Sequence, residues 1–120
     1  MAKRTGPTTL ELQKLIEELK EASRMHHVAL WKRVAHDLSK PTRMRREVNL
    51  YQLQKYARDG ETALVPGKVL SIGEFDRKIT VAAYAFSAAA RSKINKTGKA
   101  ISISELLKKT PKGSNVRIIG

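Results

Sequence analysis

Residues Lys78–Lys99 read KITVAAYAFSAAARSKINKTGK, an apolar run that passes directly into a small and then basic one. From Ile79 to Phe86 the β-branched and aromatic residues Ile79, Thr80, Val81, Tyr84 and Phe86 alternate with alanines, uninterrupted by Gly or Pro. Such a run of eight is the pattern of a strand covered on both faces. Ser87 is placed to cap a helix over Ala88–Thr97, whose three leading alanines allow close packing, and Gly98 to end it in a left-handed turn. Arg91, Lys93, Lys96 and Lys99 follow along the same unit, towards the end where the helix macrodipole favours cations. Core and positive surface are thus expected from one continuous segment.

Working towards the N-terminus, Thr62–Val65 and Lys68–Ile72 are short β-like runs separated by Pro66-Gly67, and Gly73 opens a loop leading to the central strand. Towards the C-terminus, a strand over Ala100–Ile103 meets a short helix that Ser102 and Glu105 can box. The turn Thr110-Pro111-Lys112-Gly113-Ser114 then precedes a last strand, Val116–Ile119, with Arg117 on the face opposite Val116 and Ile118. The first half has a helical period instead. Thr8 and Glu11 form a capping box ahead of Leu12, Leu15, Ile16, Leu19 and Ala22, a helix of about four turns. Its outer face mixes Glu17, Glu18 and Glu21 with Lys14, Lys20 and Arg24, and is expected to meet solvent or another protein. A second helix starts near Val28 with Leu30, Trp31, Val34, Ala35 and Leu38 on one stripe, which makes Trp31 a core anchor in preference to a base-stacking group. The connector Ser39–Glu47 breaks at Pro41 and carries Lys40, Arg43, Arg45 and Arg46. Asn49 and Gln52 box a third helix, with Val48 and Leu53 as its staple and Asp59-Gly60 as its end. Tyr51 and Tyr56 fit either core or interface. The reading is a single compact α/β domain over residues 8–120, behind a flexible basic arm over residues 1–7 with Lys3 and Arg4.

Charge narrows the function. Of 120 residues, 24 are Lys or Arg and 11 Asp or Glu, a formal net charge of +13. Residues 1–60 hold 13 basic and 7 acidic side chains, and residues 61–120 hold 11 and 4. An excess spread over the whole body indicates a domain surrounded by phosphates, not a neutral enzyme with a basic tail. The chain has no cysteine, so disulfides and thiolate metal sites are excluded. No apolar run approaches the roughly 20 residues that span a bilayer, and no membrane partner is expected. His26, His27 and His36 lack the spacing of a metal site. Gly67-Lys68 and Gly98-Lys99 lack the upstream Gly and following Ser or Thr of a phosphate-binding loop, and no Gly-x-Ser-x-Gly elbow occurs. Neither a cofactor nor an enzymatic activity is expected.

Four segments taken in order carry a resemblance: Leu38-Ser39-Lys40-Pro41-Thr42-Arg43, Glu47-Val48-Asn49-Leu50, Val65-Pro66-Gly67-Lys68-Val69-Leu70 and Lys78-Ile79-Thr80-Val81-Ala82-Ala83, followed by Gly113-Ser114-Asn115-Val116-Arg117. Together they resemble the archaeal and eukaryotic large-subunit ribosomal protein eighteen-e family, relatives of bacterial protein L-fifteen, over nearly the whole chain. The length suits the short archaeal form. The resemblance implies a non-catalytic, cytoplasmic ribosomal protein bound to large-subunit ribosomal RNA. Its fold would place strand, strand and helix units in an irregular superhelix behind N-terminal helices. It carries Lys40, Arg43, Lys68, Lys78 and Arg117 over as RNA-binding residues.

The charge argument adds Lys3, Arg4, Arg45, Arg46, Arg91, Lys93, Lys96, Lys99 and Lys112. Arginine in the connector has its own rationale, since a planar guanidinium can bind phosphate bidentately and stack on a base. The expected partners are large-subunit ribosomal RNA and, through the first helix, neighbouring ribosomal proteins; an obligate homo-oligomer is not expected. Two other readings stand beside this one. A helix-turn-helix DNA regulator would use the second and third helices, but their connector is long where that motif needs a tight turn. A small RNA-processing enzyme is the third.

Overall fold

Among the described residues five strands, all parallel, form the sheet that organises the molecule. The computed structural model describes residues 10–40, 46–58, 60–110, 112, 113 and 115–119, with the backbone alone for Arg46. In chain order the elements are α1 (Leu10–His26), α2 (Ala29–Leu38), β1 (Arg46–Asn49), α3 (Leu50–Tyr56), β2 (Thr62–Leu70), β3 (Thr80–Phe86), α4 (Ala88–Thr97), β4 (Lys99–Ser102), α5 (Ile103–Lys109) and β5 (Val116–Ile118). This is a compact α/β domain.

The expected pair of strands on either side of Pro66-Gly67 is one strand, β2. Proline cannot donate to a ladder and is normally kept out of central strands. Here β5 lies beside Thr62–Leu64 and β1 beside Gly67–Leu70, so both share one edge of β2 and Pro66 falls in the gap between them. On the other edge the register with β3 shifts between Val65 and Lys68, at the same place. Pro66 therefore sits where neither neighbour requires its missing N–H.

Strand β1 departs from the expected connector. Three arginines in four residues read as a solvated run, but Arg46–Asn49 pairs with Gly67–Leu70 through backbone groups, and buried Val48 fixes it to the core. The helix expected to end at Asp59-Gly60 ends earlier, at Tyr56, with the Ala57 N–H donating to the Leu53 carbonyl at 2.9 Å. Its start follows expectation: the Asn49 backbone N–H donates to Gln52 Oε1 at 2.9 Å, and Val48 and Leu53 share one core cluster. The Thr8 box lies outside the described residues.

Alternation along the strands divides the core in two, as a sheet covered on both faces requires. Ala63, Val65, Val69, Val81 and Ala83 face Leu50, Leu53, Ala90 and Ile94 of α3 and α4. Leu64, Ala82 and Ile101 face the α1–α2 hairpin and α5, where Leu12, Ile16, Leu19, Trp31, Val34, Leu38 and Leu106 pack together. Trp31 is fully buried there, the core anchor that its stripe implies. Glycine at 113 (φ +68°) fits against that hairpin, since a Cβ would come within 2.7 Å of Leu30 Cδ2.

Ser87 Oγ accepts from the Ala90 N–H at 3.2 Å, starting α4 as its sequence indicates. Gly98 is a correction. Its backbone is extended (φ −125°, ψ −144°), not left-handed. What requires glycine is close approach, because a Cβ would collide with the Ile79 carbonyl oxygen, the acceptor of the Lys99 N–H that opens the β3–β4 ladder.

Candidate nucleic-acid interface

Parallel strands joined by helices return the chain to the same edge each time, so helix C-termini and strand N-termini accumulate there. α4 delivers Lys96 in its last turn to that edge and α5 delivers Lys108 and Lys109. Arg77 and Lys78 lead into β3, and Lys99 is the first residue of β4, opposite Thr80. The two approaches are tied together: Thr97 Oγ1 donates to the Arg77 carbonyl at 3.0 Å and the Lys99 N–H to the Ile79 carbonyl at 3.1 Å. Lys78, Lys96, Lys99, Lys108 and Lys109 are all exposed. The Lys99 side chain, through a hydrogen bond and then through its charge, holds the Lys109 ammonium below the ordinary lysine range, while Glu105 acts weakly in the opposite direction. Two ammonium groups so close repel each other in the free chain. An anionic oxygen between them removes that repulsion, which is how such a pair selects phosphate.

Sequence reasoning named Lys78, Lys96 and Lys99 of this cluster and missed Arg77, Lys108 and Lys109. The missing signal was topology: without a parallel sheet there is no reason for the ends of α4 and α5 to meet. The other named residues are distributed differently. Lys93 points inward, donating to the Ser71 and Gly73 carbonyls at 3.1 and 3.3 Å, and so braces the loop before β3. Arg91 lies 5.1 Å from the Phe86 ring centroid, a cation–π contact on α4. Lys40 pairs with Asp37 at 3.4 Å, and Arg117 Nε with Glu61 Oε1 at 3.1 Å. Lys68 is exposed beyond the β2 irregularity, and Lys112 in the turn after α5. The backbone of Arg46 opens β1, opposite Gly67. Lys3, Arg4, Arg43 and Arg45 lie outside the described residues.

The outer face of α1 has another character. Glu17, Glu18 and Glu21 are exposed, and Leu10 and Met25 at its two ends keep about two thirds of their surface in solvent. No group of three or more His, Asp or Glu able to hold a metal occurs among the described residues, and no helix among them is long and apolar enough to cross a membrane.

Comparison with known proteins decides among the readings. Residues 9–102 match the model of a family described as ribosomal proteins 50S-L15 and 50S-L18e together with their 60S counterpart. The chain belongs to that family. Curated relatives in this ribosomal family are archaeal large ribosomal subunit proteins eL18. That of Methanopyrus kandleri is 47% identical over 121 residues, covering 96% of this chain and 95% of its own. That of Haloarcula marismortui is 44% identical over 112 residues, covering 93% and 97%. That of Sulfurisphaera tokodaii is 42% identical over 120 residues, covering 99% and 98%. The resemblance read from Lys40–Arg43, Val65–Leu70 and their companions is therefore correct, and the chain is a ribosomal protein of the large-subunit family. The helix-turn-helix alternative finds no support in these relatives or in the fold, since strand β1 is inserted between α2 and α3 where that motif needs a short turn.

Proposed function

We propose that the chain is a structural, non-catalytic component of the large ribosomal subunit that binds and stabilises folded large-subunit ribosomal RNA. The cluster of Arg77, Lys78, Lys96, Lys99, Lys108 and Lys109 at one edge of the sheet is the observation that carries this reading. It is rigidly mounted, because each cation stands at the end of a strand or helix whose other face is core. Its task is positioning. Cations fixed at known separations meet phosphates from RNA segments that would otherwise repel each other, and counterion release supplies the affinity. Lys40, Arg43, Lys68, Lys112 and Arg117, with Arg45, Arg46, Lys3 and Arg4, extend the contact to other sides of the body. Arg91 and Lys93 contribute from α4, the second through the loop it braces. The acidic outer face of α1, which repels phosphate, is left for a neighbouring ribosomal protein. By this reading the chain works on cytoplasmic ribosomes.

Competition binding tests the choice of nucleic acid. Deproteinised large-subunit ribosomal RNA is expected to displace labelled RNA from the chain at concentrations at which a random duplex DNA of equal phosphate content displaces little. Equal displacement by the two would show only non-specific attraction of a +13 protein for polyanions.

A further inference from the structure

Away from the lysine cluster, between α3 and the end of β5, lies a cleft of about 430 Å³ lined by Gln52, Tyr56, Arg58, Arg117, Ile118 and Ile119. Its volume is within the range of small-molecule sites. Its chemistry is uneven in a specific way: an apolar floor of two isoleucines, one aromatic wall, one amide and two guanidinium groups. Tyr56 keeps 54% of its surface exposed although it closes a helix whose opposite face is buried. The Lys55 ammonium stands 5.3 Å from the centroid of its ring, so a third cation accompanies the same aromatic. Arg58 is exposed. Arg117 gives its Nε to Glu61 Oε1 at 3.1 Å, which fixes the orientation of the guanidinium through one nitrogen and leaves two for other acceptors.

We infer that this cleft takes a single unstacked nucleotide of the ribosomal RNA. The base stacks on Tyr56 above Ile118 and Ile119, Gln52 reads an edge through its amide, and Arg58 and Arg117 meet the flanking phosphates. Each part follows from how proteins recognise RNA. Sequence-reading contacts are made with bases splayed out of helices, stacked on aromatic rings or guanidinium planes and hydrogen-bonded along their edges. An apolar protein ligand would have no use for two guanidiniums at the rim, and a bare phosphate none for the ring and the isoleucine floor. The nucleotide uses both. The inference rests on the RNA-binding reading and adds a contact of another kind, since stacking does not depend on salt and phosphate pairing does.

The test uses the full chain and deproteinised large-subunit ribosomal RNA, with Tyr56→Ala, Tyr56→Phe and Arg58→Gln. Tyr56→Ala is expected to weaken binding roughly 5- to 150-fold while leaving the slope of log K against log salt unchanged. Tyr56→Phe should bind as the parent does. Arg58→Gln should lower the slope by about 1. Chemical probing of unpaired nucleotides should show one position protected by the parent and reactive with Tyr56→Ala, the rest of the footprint being kept. Parental affinity and an unaltered footprint for Tyr56→Ala would overturn the assignment, as would equal losses for Tyr56→Ala and Tyr56→Phe. Steep salt dependence of the parent in that case would leave the lysine edge standing, whereas a parent that does not bind the RNA would remove both.

Discussion

Replacing Trp31 by alanine is expected to destabilise the domain by about 3–5 kcal/mol, the range for removing a fully buried large aromatic side chain. Trp31 has no exposed surface and stands between the α1–α2 hairpin and the sheet, in contact with the cluster that contains Leu19, Leu38, Leu64 and Ile101. Folded domains are stable by only about 5–15 kcal/mol, so a substantial fraction of the chain would be unfolded at moderate temperature. Urea denaturation followed by circular dichroism measures this as a lower midpoint with an unchanged slope m. Trp31→Phe, which keeps a ring in the site, should recover part of the loss. A base-stacking Trp31 would give another result, a variant as stable as the parent with weaker RNA binding. That outcome would contradict the packing described here.

The second large effect concerns charge. Changing Lys78, Lys96, Lys99 and Lys109 together to glutamine should flatten the dependence of log K on log salt by about 3, each phosphate contact contributing about 0.7–0.9. These four side chains are exposed, so the midpoint of unfolding should move little. Lys93→Gln provides a contrast. Because its ammonium donates to the Ser71 and Gly73 carbonyls, its loss should loosen the loop before β3 and lower stability, with a smaller change in salt slope than an edge lysine. The slope is the informative quantity, since affinity at one salt concentration mixes electrostatic and stacking contributions. If the quadruple variant kept the parental slope, RNA would have to approach another side of the body.

Much of this fold is readable from local chemistry. The cap at Ser87, the box at Asn49 and Gln52 and the helix Ala88–Thr97 depend on residues within a few positions of each other, and they form where those residues are. The β-like run ahead of them needs no partner to be recognised, because burial on both faces leaves it continuously apolar. Strand β1 is not readable in this way. Its pairing with β2 is made by backbone groups some twenty residues apart, and only Val48 marks it in an otherwise charged segment. Gly98 shows a related limit: a glycine after a helix indicates a left-handed cap, but here the need is set by the carbonyl of Ile79 on a neighbouring strand.

The candidate site divides along the same line. Net charge and its spread identify a polyanion partner without any structure, and the ordered segments identify the family. Which cations act together cannot be seen in one dimension. Lys78, Lys99 and Lys109 meet only because parallel strands β3 and β4 start side by side and α5 packs back against them. Conversely, Lys93 and Arg117 look like ordinary surface cations in the sequence, yet each is engaged by oxygen atoms of the protein itself. Tyr56 is ambiguous in sequence because it ends a helix in which Leu50 and Leu53 are buried, and only exposure distinguishes it from them.

Sedimentation of the native chain with isolated large ribosomal subunits through a series of potassium chloride concentrations tests the central claim most directly. The chain should travel with the large subunit at low and moderate salt and be released only as the concentration approaches molar, the quadruple lysine variant leaving at distinctly lower salt. A chain that stays at the top of the gradient at low salt, or a variant released together with the parent, would contradict it.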